Sequence, residues 1–168
     1  MNNLNRIVAS IAFLFSLAVY IITMAPTTSF WDCGEFIATS VIMGVPHPPG
    51  TPFYLLLGNF FSQLPTFSDI GARVNLISPI FSAFAVMFLY LIIVQLIEEW
   101  RGESKSFPDY LITYGSALIG ALTFAFTDSH WFNAVEAEVY SLSTFFTSIV
   151  VWLILQWSKN SGHSGNVR

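Results

Sequence analysis

Charge is so sparse in this 168-residue chain that it divides the sequence unaided. No Asp, Glu, Lys or Arg occurs between Arg6 and Asp32, between Arg73 and Glu98, between Asp109 and Asp128, or between Glu138 and Lys159. A helix needs about 20 mostly apolar residues to cross the hydrocarbon layer of a bilayer, and each of these stretches has that length. The pattern predicts an all-α integral membrane protein with about four transmembrane helices, at roughly 7–24, 74–97, 110–127 and 139–157. With 54% hydrophobic residues, 10% charged and 17 Phe, the chain carries more apolar surface than one small soluble core hides, so lipid must cover part of it. The apolar run after Arg6 is too long for a signal peptide, and Pro26 spoils the small-residue site at Ala25, so it reads as a retained span. A fifth uncharged stretch, between Glu35 and Asp69, holds Pro46, Pro48, Pro49, Pro52 and Pro65. These remove backbone donors and forbid a single spanning helix.

Orientation follows from Lys and Arg, which accumulate on the cytoplasmic side. A cytoplasmic N-terminus puts Arg6, Arg101, Lys105, Lys159 and Arg168 inside and only Arg73 outside. The loop 25–73 and the short turn from Asp128 to Glu138 then face the periplasm, the exterior or a lumen, with a bacterial inner membrane the expected setting. Asp32, Glu35, Asp69, Asp128, Glu136 and Glu138 fall on that side. Acids are tolerated in any watery loop, but Asp32, Glu35 and Glu138 lie within a few residues of apolar runs, where a charge is costly unless paired or facing a wet cavity. They are the candidate functional carboxylates. The lone Cys33 forbids an internal disulfide and reads as a small apolar side chain. The net charge of −4 and the lack of a basic patch exclude nucleic acid. Partners are expected to be lipid, lipid-linked or membrane-bound.

The stretch FWDCGEFIATSVIMGVPHPPGTPFYLLLGNFFSQLP reads as helix, stiff turn, interfacial helix. Asp32 and Glu35, three apart, share a face if helical, and the same spacing suits a capping box. Either reading is open, and a cap would also orient a reactive carboxylate. Prolines around His47 make the turn rigid, either to hold that ring or simply to break the helices, and Pro52 suits the first turn of the next helix. Arg73, beside Asn75, is expected to meet an anionic head group through its planar fork, or else to pair with Asp69 or Asp32. Pro79 should kink the second span. In the second loop Asn133 and Glu136 have capping-box spacing, which assigns Glu136 to structure and leaves Glu138, beside Tyr140, as the second functional carboxylate. His130 and Trp131 read as interfacial anchors.

Three blocks in this order, FWDCGEFIATSVIMGVPHPPGTP, RVNLISPIFSAF and WFNAVEAEVYSLSTFF, resemble the N-terminal membrane part of the domain-of-unknown-function 2723 family. That family is grouped as glycosyltransferase family 117, with the animal transmembrane protein O-mannosyltransferases as relatives. The resemblance runs to about Trp157. It implies a GT-C type glycosyltransferase with a catalytic acid in its first outer loop and a polyprenyl-phosphate sugar donor. Carried onto this sequence, it implies catalytic roles for Asp32 and Glu35, and donor or acceptor contacts for His47, Arg73, Asn75, Glu138 and Tyr140. Family members usually continue into further membrane helices and often a soluble domain. A membrane domain over 1–158 followed by a polar tail, 159–168, is therefore expected to be part of a longer chain.

General chemistry fills in the rest. A sugar leaving a lipid phosphate needs an acceptor hydroxyl, on protein or lipid, activated by a carboxylate base, and cations or dipoles on the departing phosphate. Asp32 is the expected base and Arg73 the phosphate contact, with Glu35 and His47 orienting. No protein metal ligand set is assigned, although Asp32, Glu35 and Glu138 offer oxygens that suit Mg or Mn. A transporter or lipid-handling protein would place its acids near the midplane in broken helices, whereas these cluster at helix ends. A non-catalytic membrane subunit would leave the three polar blocks without a use.

Overall fold

The computed structural model describes residues 3–48, 50–102 and 104–164, and every regular element among them is α-helical. Eight helices follow in order: α1 (Asn3–Thr23), α2 (Cys33–Ile42), α3 (Pro52–Ser62), α4 (Ile70–Asn75), α5 (Ile77–Arg101), α6 (Phe107–Ala125), α7 (Asp128–Ala134) and α8 (Val139–Ser164). Three helical runs are long and apolar enough to cross a membrane: Asn3–Thr23, Ile70–Arg101 and Val139–Ser161. The bent pair α6 and α7, turned by 69°, makes a fourth if it counts as one broken span. The expected all-α membrane class and helix number are both present.

Three boundaries differ from expectation for visible reasons. The second span begins at Ile70, with a one-residue interruption at Leu76 between α4 and α5. Pro79 lacks the amide that would bond to the Asn75 carbonyl, so the ladder breaks before the proline, which itself sits in the first turn of α5 where a missing donor is harmless. Asn133 lies inside α7 and gives its amide to the Ser129 carbonyl at 2.7 Å, so the box with Glu136 does not form. Helix α8 runs through Lys159 to Ser164 and takes in part of the segment expected as a polar tail; residues 165–168, like Pro49 in the His-Pro-Pro-Gly turn, lie outside the described residues.

Helix α5 is the axis, packed on one side by α1 and α6 and on another by α8. Small residues set the close approach: Ala9 and Ala12 of α1, Ala83 of α5, and Ala117, Ala121 and Ala125 of α6 are all buried. Between helices in lipid this is the expected grammar, because van der Waals packing replaces the hydrophobic drive. The Tyr20 hydroxyl donates to the Ala125 carbonyl at 2.8 Å, satisfying a group that the end of α6 leaves open.

A second core lies under the first loop. Cys33, Phe36 and Ile37 of α2, Tyr54 and Leu55 of α3, Val74, Ile77, Ala137 and Leu142 pack together. Helices α2 and α3 touch closely at Gly58, where an added Cβ would stand 2.6 Å from Cβ of Ser40. The Asn59 amide donates to the Ser40 carbonyl at 3.0 Å and locks the same contact. This small core presents the start of α2 to the turn between α7 and α8.

Candidate active site

Asp32 is the residue before α2, with helical backbone angles (φ −76°, ψ −7°) and no cap bond from its side chain. The amide of Phe36 bonds instead to the Asp32 carbonyl at 3.0 Å. Ahead of it Trp31 takes a left-handed backbone, φ 57°, a conformation that costs a bulky residue of order 1 kcal/mol. The capping-box alternative for Asp32 and Glu35 is therefore not realised, and both carboxylates are free for other work.

Glu35 spends its carboxylate on the next turn of chain. Its Oε1 accepts from the His47 amide at 2.8 Å and its Oε2 lies 2.7 Å from His47 Nδ1. The rigid proline turn thus delivers His47 back onto α2. The pairing pulls Glu35 below the usual carboxylate range and lifts His47 above its ordinary value, with Asp32 and Glu138 adding to the lift. Ligand atoms of Asp32, Glu35 and His47 all lie within 4.8 Å of one another. A divalent ion would find two carboxylates and a ring nitrogen there, with His47 in the place expected for Glu138.

Glu138 comes from the other loop. It is buried at the foot of α8, and burial, then Glu136 and Asp32, push its carboxyl up to about 7. Glu136, only 2% exposed, leaves its Oε1 without a hydrogen-bond partner among the described residues. Sequence reasoning set Glu136 aside as a cap; the usable signal was its i,i+2 spacing from Glu138 in so short a loop.

Asn75 holds the two loops together. Its amide nitrogen donates to the carbonyls of Ala25 (2.8 Å) and Thr27 (2.9 Å), and its Oδ1 accepts from the Ala137 amide (3.0 Å) and the Cys33 thiol (3.6 Å). It is fully buried, so it contacts the chain rather than the solvent-facing part of the cluster. Arg73 points away from the acids. Its Nε, Nη1 and Nη2 donate to the carbonyls of Phe67 (2.6 Å), Ser62 (3.2 Å) and Ser68 (3.5 Å), and neither expected ion pair, with Asp69 or with Asp32, forms. Tyr140 is exposed on the first turn of α8. Of the seven residues singled out from sequence, the fold brings Asp32, Glu35 and His47 together, with Glu138 near enough to feel the charges of Asp32 and His47.

What this arrangement can do is accept a proton and hydrogen-bond a polar group at the end of an apolar bundle. Beside the exposed Asp32, one Glu lowered by its His and one buried Glu that keeps its proton to higher pH are two acids with separated proton affinities.

Residues 32–168 match the family model for the protein O-mannosyl-transferase TMEM260 N-terminal domain. The chain is 28% identical to mouse protein O-mannosyl-transferase TMEM260 over 142 residues, which cover 84% of this chain and 18% of the mouse protein. It is 26% identical to the protein of that name from Dictyostelium discoideum over 150 residues, 88% of this chain and 16% of the relative. The chain thus spans less than a fifth of the length of these curated relatives. No solved structure matches it. On this match over most of its length, the chain belongs to the family of the protein O-mannosyl-transferase TMEM260 N-terminal domain.

Proposed function

We propose that this chain carries the acid-bearing part of a membrane glycosyltransferase that moves a sugar, mannose by the names of its relatives, from a polyprenyl-phosphate donor to a hydroxyl of a protein acceptor. The observation that carries the reading is the cluster of Asp32, Glu35 and His47 at one end of the helices, with the buried Glu138 of the second loop in electrostatic range of Asp32 and His47. Arg6, Arg101, Lys105 and Lys159 belong to the other ends of those helices, and the tendency of Lys and Arg to stay cytoplasmic supports a site on the non-cytoplasmic side.

Asp32 is assigned as the base. It takes the proton of the acceptor hydroxyl while that oxygen bonds to the anomeric carbon, the bond from this carbon to the phosphate oxygen breaks, and the polyprenyl phosphate departs with the electron pair. Both oxygens of Glu35 are engaged by His47, which assigns that pair to orientation rather than to metal ligation. Glu138, protonated in part near neutral pH, is placed to donate a hydrogen bond to sugar or acceptor.

The test is sugar transfer from a labelled polyprenyl-phosphate donor by the full-length protein. Asp32→Asn removes the proton acceptor without removing any cap bond, and loss of a general base costs about 10² to 10⁴ in rate. Glu35→Gln should cost less. Transfer by Asp32→Asn within a few-fold of the parent, at matched thermal stability, would remove Asp32 from the mechanism.

A further inference from the structure

We infer that Asn75 is a positioning residue for the two-loop site: through a single buried amide it holds the turn that bears Glu138 against the helix that bears Asp32. The inference rests on the reading of these acids as working together, and it replaces the substrate contact expected for Asn75 from sequence.

The geometry leaves little else for this side chain to do. Both polar atoms are committed, each to two partners, and the partners belong to three separate pieces of chain: the exit of α1 at Ala25 and Thr27, the first residue of α2 at Cys33, and Ala137 between the two buried acids. A residue fully buried with both its polar atoms paired has no atom to offer a sugar. The bond to Ala137 fixes the backbone on one side of Glu138. One turn further along, the Ser78 hydroxyl receives the Glu138 amide at 3.4 Å and lies 3.2 Å from the Ser141 hydroxyl. Asn75 and Ser78 thus clamp the 137–141 segment from α4 and α5, while the backbone pair from the Ala25 amide to the Val135 carbonyl (2.8 Å) closes the same junction from α1.

What the clamp holds is costly to hold. The ionisable groups that face Glu138 are Asp32 and Cys33 at the start of α2, His47 in the proline turn, Tyr54 of α3, and Glu136 in its own turn. Two carboxylates near a third buried one repel it, and a free turn would swing Glu138 toward water. A fixed backbone keeps it in place, and that keeps its proton affinity high.

The experiment uses full-length protein carrying Asn75→Ala or Ser78→Ala, with the Glu138 carboxyl band followed by infrared titration and assigned by its loss in Glu138→Gln. In Asn75→Ala the Glu138 midpoint is expected to fall by about one pH unit, a tenfold change in proton affinity. Transfer should slow in kcat while the KM for the polyprenyl-phosphate donor stays put. Ser78→Ala, which loses the long bonds to the Glu138 amide and the Ser141 hydroxyl, should shift the midpoint the same way by less and covers the case in which Asn75→Ala does not fold. A midpoint unmoved in both variants overturns the inference and leaves Asn75 a purely structural residue. A raised donor KM with an unmoved midpoint overturns it in favour of a substrate contact. A shifted midpoint in a parent that transfers no sugar keeps the clamp and defeats the catalytic reading, so the two fail separately.

Discussion

At the scale of single residues, Arg73 is held by backbone carbonyls rather than by an acid. Arg73 was the natural partner for a phosphate, yet its guanidinium is spread over three backbone carbonyls of the 62–68 turn. Hydrogen bonds from a charged group to otherwise unpaired carbonyls are worth about 1.5–3 kcal/mol. Arg73→Ala is therefore expected to lower thermal stability by about 2 kcal/mol and Arg73→Lys by less, with donor KM unchanged in both. A donor KM raised tenfold in Arg73→Lys at parental stability would return Arg73 to the phosphate. Glu138 gives a pH prediction with a definite sign. Its folded value, about 7, lies above the ordinary carboxylate value of 4.5, so the folded protein holds the proton more tightly than the unfolded chain does. That contribution to stability is whole below the ordinary value and is lost as pH rises through about 7. Melting temperature in detergent should fall across this window, and Glu138→Gln should flatten the fall.

At the scale of elements, the hairpin of α2 and α3 is the device that turns an apolar stretch into a site. The sequence signalled both helices and the turn, since proline spacing forbids one long helix and Pro52 starts the second. It did not signal that Gly58 would sit against Ser40 or that Glu35 would bind His47, because contact across a hairpin depends on which faces meet. Gly58→Ala forces a methyl into the Ser40 side chain, an overpacking that costs about 1–3 kcal/mol. The expected outcome is a lower melting temperature and a weakened link between Glu35 and His47, read as a fall in the His47 midpoint by NMR. An unchanged midpoint with unchanged stability would mean that α2 and α3 separate freely.

At the scale of the whole molecule, Asp32, Glu35, Glu136 and Glu138 lie at one end of the helices and Arg6, Arg101, Lys105 and Lys159 at the other. With the N-terminus cytoplasmic, a cysteine placed at position 66 should react with a membrane-impermeant reagent from outside and one at position 104 should not, in a chain whose Cys33 is replaced by Ser. The reverse labelling would invert the protein and put the acids in the cytoplasm. Both labelled positions lie in loops outside the two cores, and Cys33→Ser, the one change within the second core, keeps a donor for Asn75.

The sequence alone determined the solvent of this protein. Uncharged stretches of spanning length have one stable solution in lipid, an α-helix that satisfies its own backbone, so the helices and their class could be read without coordinates. It also marked Asp32, Glu35, His47 and Glu138, because acids and a stiffly held histidine at the edges of apolar runs are costly without a use. What only the tertiary structure decided is who faces whom. Asp32 and Glu138 stand more than a hundred residues apart in the chain, and the turn that bears Glu138 is hydrogen-bonded to the buried amide of Asn75 and the hydroxyl of Ser78. Local pattern carries the cost of burying a helix face, which repeats along the chain. It carries no record of a hydrogen bond between segments dozens of residues apart. For the same reason the surroundings of Glu136 and Arg73 could not be read from sequence: capping-box spacing is a local fact, whereas a buried turn and three carbonyls within reach of one guanidinium exist only after the loops have closed.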